Sequence, residues 1–135
     1  MFWIVGDGLL KDIVLDKMSV LGLNFVYWGG QPSDKMPDIF NCTDVLVLPS
    51  RNEGMPLVVL EAIACGANVV ATDVGGIAEA IGSEFCVGLE CLVPNMAQRV
   101  SDLLYNPVPQ YIPSGFSWEE TAKKEYDIYK SLLNV

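Results

Sequence analysis

The 135-residue chain contains no histidine. That removes the side chain most often used as a general base near neutral pH and as a ligand for transition metals. Cationic residues are scarce as well: 8 Lys and Arg stand against 17 Asp and Glu, a formal charge of −9. A surface of that sign repels phosphate backbones and anionic membranes, which argues against nucleic acid as a partner. The four cysteines, Cys42, Cys65, Cys86 and Cys91, share no Cys-x-x-Cys spacing. Lying mostly in apolar context, they read as reduced core residues, with no metal site expected. No apolar run is long enough to span a bilayer, because charges or turn residues interrupt each one. The opening MFWIVGDG has no basic stretch of the kind that begins a signal peptide, so a cytoplasmic location is expected.

What is abundant is apolar: 51% of the residues are hydrophobic. Strands buried on both faces would explain this, and so would a surface that meets a partner. The length suits one domain, residues 1–135, with a core that needs neither disulfides nor metals. Short apolar runs at 2–5, 25–28, 44–48, 68–71 and 90–93 read as strands, the last closed by Pro94. Between them, 9–21, 34–41 (with Ser33 as cap), 57–65, 77–81 and 96–105 read as helices, and Gly66 stops the third. The segment NPVPQYIPSG interrupts the pattern, after which Ser117 and Glu120 form a capping box for a final helix. Strands alternating with helices imply an α/β fold: a doubly wound, Rossmann-like parallel sheet of five strands.

Ligands of such sheets bind beyond the carboxyl ends of strands, at helix N-termini. The stretch LVLPSRNEGMPLVVLEAIACG, from Leu46 to Gly66, is a corner of that kind. Pro56 suits the first helical turn, where a missing N–H costs nothing. The free N–H groups of Met55, Leu57 and Val58 would face an anion, aided by the helix dipole, and Gly54 lets the backbone approach closely. Glu61 lies further into the helix and leans back toward its N-terminus. Carboxylates at Glu53 and Glu61 could accept hydrogen bonds from hydroxyls on either side of a phosphate group, which is the shape of a nucleoside diphosphate sugar. Read without a ligand, Glu53 only favours the helix dipole and Glu61 is a solvated helix residue; the spacing alone leaves both readings open.

The stretch DVLVLPSRNEGMPLVVLEAIACGANVVATDVGGIAEAIG closely resembles the donor-binding core of retaining GT-B glycosyltransferases of family four, the glycosyl transferases group one. Its most specific sign is a Glu, seven residues, and a second Glu followed by Ala-x-Ala-Cys-Gly. WIVGDGLL and FVYWGG resemble the preceding strands, and FSWEETAKKEYDIYKSLL resembles the closing helix. By this resemblance Glu53, Gly54, Met55 and Pro56 would meet the donor sugar. Gly54, Met55, Leu57 and Val58 would surround the diphosphate, and Glu61 would bind the ribose. Trp28, Gly29 and Gly6 would lie near the base. The implied reaction transfers a hexose from a UDP- or GDP-sugar to a glycan, lipid or small acceptor, as in polysaccharide biosynthesis. No cofactor is implied, and no catalytic residue is assigned.

The resemblance also implies an N-terminal acceptor domain, and a first strand and helix whose loop gives an Arg and a Lys to the diphosphate; none of these has a counterpart among the 135 residues. The isolated chain is therefore expected to bind nucleotide weakly and to transfer nothing. A binding or interaction module that kept the fold without the chemistry is the alternative. In the family's sheet the absent strand lies centrally, between the strands at 2–5 and 44–48. Direct pairing of these two, giving the order 2-1-3-4-5, is favoured over a gap filled by a second chain, whether an acceptor-domain chain or a homodimer partner.

Overall fold

The computed structural model describes residues 1–133. The chain divides into two compact units, Met1–Met36 and the remainder from Pro37 onward.

In the first unit, strand β1 (Phe2–Val5), helix α1 (Lys11–Val20) and strand β2 (Phe25–Gly29) make one β-α-β element. The strands are parallel, with Phe2 opposite Phe25 and Ile4 opposite Tyr27, and the register slips where Val5 meets Gly29. Parallel pairing needs a crossover, and α1 supplies it. The helix ends in a Schellman turn: Gly22, at φ +64°, donates to Ser19 O and Leu23 donates to Met18 O, each at 3.0 Å. After β2, Ser33–Lys35 forms a 3-10 turn. Pro32 occupies the cap position there, so Ser33 does not cap as expected.

The second unit contains α2 (Met36–Phe40, which begins at the boundary), β3 (Val45–Leu48), α3 (Leu57–Ala64), β4 (Asn68–Thr72), α4 (Ile77–Ile81), β5 (Cys86–Val87), α5 (Leu92–Tyr105) and α6 (Trp118–Leu133). Strand β4 is central, parallel to β3 from Val45–Asn68 to Leu48–Ala71, and to β5 at Ala71–Cys86 and Thr72–Val87. Val69, Val70, Ala71 and Thr72 are all 0% exposed, the double-sided burial that makes this strand a continuous small apolar run. Val70 joins Val87, Met96 and Leu103 in a core to which Val45, Phe85, Leu92 and Val100 add. Met96, Val100 and Leu103 follow helical spacing along α5. Helices α3 and α4 pack on β4 and on each other, burying Val59, Ala62, Ile63, Ile77, Ala80 and Ile81. Where β5 is too short to reach, the Gln110 side-chain amide stands in for a strand: Val69 N–H donates to its Oε1 (2.7 Å) and its Nε2 donates to Val69 O (3.0 Å).

Several expectations are corrected. The five strands form two sheets, β1-β2 and β3-β4-β5, so the single sheet of order 2-1-3-4-5, with β1 paired directly to β3, is not made. Phe2 and Val47 are solvent-exposed, so water can serve these edges and no ladder is forced. The fifth strand lies at Cys86–Val87 rather than 90–93. Leu92, Val93 and Pro94 are the first turn of α5, where a proline lacks only an N–H that the helix does not use. Cys42 and Cys91 are exposed and Cys65 and Cys86 half-buried, all four free, so none is a core residue. Of the capping box, Glu120 N–H donates to Ser117 Oγ (3.1 Å), while the Glu120 carboxylate accepts from Gly115 N–H (2.8 Å) instead of from the cap's own N–H. No described helix is long and apolar enough to cross a membrane.

Candidate functional site

Two strand-to-helix corners meet at the carboxyl end of the β3-β4-β5 sheet. The first runs from the end of β3 through Pro49, Ser50 and Glu53 to α3. Pro56 takes the N-cap position (φ −73°, ψ 114°), one residue before the first helical turn where it was expected. The first bonded helical N–H is that of Val59, to Pro56 O at 3.1 Å. The N–H groups of Leu57 and Val58 precede it and by position have no intrahelical acceptor.

The second corner, Asp73 to Gly76, clamps the first. Gly75 has φ +58°, and a Cβ there would overlap Glu53 O and lie 2.7 Å from Gly54 O. Gly76 N–H donates to Gly54 O at 2.7 Å. A Cβ on Gly76 would also meet Met55 Cε at 2.7 Å. Gly75 is therefore needed because the backbone of one corner lies against the backbone of the other, whereas a side chain at Gly76 would meet the movable end of Met55 and crowd Gly54 O at 3.2 Å.

Glu53 is half-buried, and its Oε1 accepts from Ser50 Oγ at 2.6 Å. Its Oε2 has no donor among the described residues. The Ser50 carbonyl in turn accepts from the hydroxyl of Thr72, a fully buried side chain at the end of β4. Glu61 is exposed, on the same side of α3 as the exposed Leu57 one turn earlier. Gly54, Met55, Pro56, Leu57 and Val58 thus form one continuous turn with Glu53 before it and Glu61 beyond it.

Sequence reasoning missed Ser50, Thr72 and the clamping role of Gly75 and Gly76. The Ser-x-x-Glu spacing of Ser50 and Glu53 was the available signal, since it is the spacing at which a hydroxyl and a carboxyl reach each other across a turn. Thr72 and Gly75 touch the corner through tertiary approach, which has no local signature.

The residues expected near a base lie in the first unit. Gly6 N–H donates to Gly29 O at 2.8 Å, joining the loops that leave β1 and β2. Trp28 is 44% exposed and meets Trp3 edge-on, with ring centroids 5.6 Å apart. The neighbouring Tyr27 hydroxyl has its pKa raised, by desolvation first and by the Asp7 carboxylate second.

An open pocket of about 510 Å³ is lined by Arg51, Leu89, Cys91, Leu92, Val93 and Pro94. It includes neither Glu53 nor Glu61, so this pocket and the acidic corner are different features. Cys91, at φ +53°, takes the N-cap position of α5 beside it without a side-chain cap bond. Across the sheet end, burial, then Asp73 and Glu84, push the Cys86 thiol up to about 11. Among the described residues no group of three His, Cys, Asp or Glu side chains could hold a metal ion.

Parallel β-α units whose strand ends carry a glycine-clamped, acidic turn define a Rossmann-like α/β fold. Residues 1–106 match the family model of glycosyl transferases group 1, and the chain belongs to that family. A D-inositol 3-phosphate glycosyltransferase of Corynebacterium urealyticum is 33% identical over 94% of this chain and 33% of its own length. A 2-deoxystreptamine N-acetyl-D-glucosaminyltransferase of Streptomyces fradiae is 37% identical over 61% of this chain and 20% of its own length. An uncharacterized glycosyltransferase of Methanocaldococcus jannaschii is 28% identical over 98% of this chain and 37% of its own length. The chain thus spans about a third of the length of the relatives that it matches along most of its own length.

Proposed function

We propose that the chain is the donor-binding part of a retaining hexosyltransferase that takes a UDP- or GDP-sugar and serves the glycosylation of a glycan or lipid acceptor. The observation that carries this reading is the Glu53-to-Val58 corner, held against Gly75 and Gly76, with the Leu57 and Val58 N–H groups at the start of α3 lacking an intrahelical acceptor by position. Those N–H groups and the helix dipole suit a diphosphate. Glu53 Oε2 suits a sugar hydroxyl, and Glu61 suits the ribose. Family membership supports the donor class. The turn carries no Lys, and its nearest cation, Arg51, lines the separate pocket instead. Binding by this chain is accordingly weak, at Kd of roughly a millimolar, and turnover requires an acceptor site that these residues do not form.

Calorimetry with UDP, GDP, UDP-glucose and GDP-mannose tests the reading. At least one nucleotide should bind, and Glu61→Ala should weaken a nucleotide and its sugar conjugate alike. Glu53→Ala should weaken only the conjugate. Equal losses for both ligands in both variants would refute this division of roles, and sugar transfer by the purified chain alone would refute the need for a further acceptor site.

A further inference from the structure

Glu53 is held by a relay that starts in the core. Thr72 is fully buried at the end of β4, and its hydroxyl donates to the backbone carbonyl of Ser50. That bond fixes the backbone of Ser50 just beyond the end of β3. The Ser50 hydroxyl then donates to Glu53 Oε1 at 2.6 Å, a charge-assisted bond to a half-buried carboxylate. A glutamate side chain has three rotatable bonds, and on a turn without a partner it would sample several rotamers. With Oε1 occupied by Ser50, one carboxylate orientation is selected and Oε2 is the oxygen left for a ligand.

We infer that Ser50 is the positioning residue for the Glu53 carboxylate, aiming Oε2 at a hydroxyl of the donor sugar, and that Thr72 positions Ser50. This rests on the reading of Glu53 as the sugar-contacting group. It separates two properties that the acidic motif joins: Glu53 supplies the acceptor atom, whereas Ser50 and Thr72 set how selectively that atom is presented.

The test uses the full chain with Ser50→Ala, Ser50→Thr, Thr72→Val and Glu53→Ala. The first readout is the ratio of affinities for UDP-glucose over UDP, or for GDP-mannose over GDP, whichever pair binds the unsubstituted chain more tightly. Loss of one hydrogen bond to a carboxylate should lower this ratio about threefold to tenfold in Ser50→Ala, leaving bare nucleotide within about twofold. Thr72→Val should lower it less, Ser50→Thr should retain it, and Ser50→Ala added to Glu53→Ala should do nothing further. The second readout needs no ligand: NMR couplings of the Glu53 side chain should report one rotamer in the unsubstituted chain and in Ser50→Thr, and averaged rotamers in Ser50→Ala. A ratio that falls in Glu53→Ala but not in Ser50→Ala overturns the positioning role while leaving Glu53 as the sugar contact. A ratio unmoved by Glu53→Ala overturns that contact instead, and the rotamers then decide: averaging confined to Ser50→Ala upholds the relay, and unchanged couplings overturn it. Backbone amide shifts of α5, which carries none of the substitutions and should match in all variants, identify a variant that has failed to fold, and Thr72→Val then takes the place of Ser50→Ala in both readouts.

Discussion

The two units repeat one local grammar, strand, glycine turn and helix, yet they differ sharply in what they bury. From Pro37 onward, β4 is inaccessible to water along most of its length, and α3, α4 and α5 close over the sheet. Within Met1–Met36 no residue is buried, and Leu10, Ile13 and Val20 of the α1 region are more than half exposed. The same sequence signals therefore give elements of very different cohesion. Apolar strands and helix stops specify a β-α-β element, but burial depends on how many layers surround it. A two-stranded sheet with one crossover helix has few layers, while a central strand flanked by two others and by helices has many.

Paired glycines give the largest expected contrast between the units. Gly75 and Gly22 both have positive φ, +58° and +64°. A Cβ at Gly22 would meet nothing within 4 Å, whereas at Gly75 it would overlap Glu53 O. Gly22→Ala should cost about 1 kcal/mol, the strain of a left-handed alanine. Gly75→Ala adds a backbone collision that can be relieved only by moving the Glu53 corner, and should cost more than about 3 kcal/mol. Urea unfolding followed by tryptophan fluorescence measures both, and equal costs would show that the corner is not clamped.

Next comes hydrogen exchange, which reads the contrast directly. Amides of Val70 and Ala71 should exchange on the order of 100-fold more slowly than those of Ile4 and Val5, because opening a thinly covered two-stranded sheet exposes little apolar surface. Equal protection in the two sheets would mean that the first unit is stabilised by more than its own β-α-β contacts.

Much of this architecture was legible in the sequence. Ten of the eleven strands and helices among the described residues follow from apolar period, caps and glycine stops, most of them with bounds within a residue or two. The failures share a cause. Strand β5 is two residues long, too short to carry a period, and Pro94, which reads as a strand stop, lies in the first turn of α5. The NPVPQYIPSG segment reads only as a breaker, yet its Gln110 completes the edge of β4. At the candidate site the Glu53-to-Glu61 corner was visible as a motif, while the Thr72 and Gly75 contacts that hold it depend on another strand arriving from more than twenty positions away.

Gln110 provides a smaller effect of the same kind. Gln110→Ala would leave Val69 N–H and C=O without partners at a buried strand, costing about 1–3 kcal/mol. Gln98→Ala removes only an exposed side-chain bond to Asp102 and should stay within about 0.5 kcal/mol. If the two variants unfold at the same urea concentration, water replaces the Gln110 amide freely and the strand end is less buried than its geometry implies.

The smallest effect concerns the half-buried Cys86. Burial, followed by the Asp73 and Glu84 carboxylates, raises its thiol to about 11. A raised folded-state value means that the native protein favours the neutral thiol. The associated stability is fully present below the unfolded pKa and is lost as pH rises through the folded value, here a window from about 9 to 11. Partial exposure screens the interaction, so the loss should be about 1 kcal/mol rather than the full equivalent of the shift. Cys86→Ala should remove this part of the alkaline destabilisation, seen as a flatter dependence of unfolding free energy on pH across that window. Iodoacetamide offers an independent reading, because only the thiolate reacts. Cys42 and Cys91 are exposed and should be modified first; Cys86 should be slowest, its rate still climbing about tenfold per pH unit at pH 10. A Cys86 rate that levels off below pH 9.5 would show that neither burial nor the two carboxylates act on the thiol, and that the end of β5 is open to water.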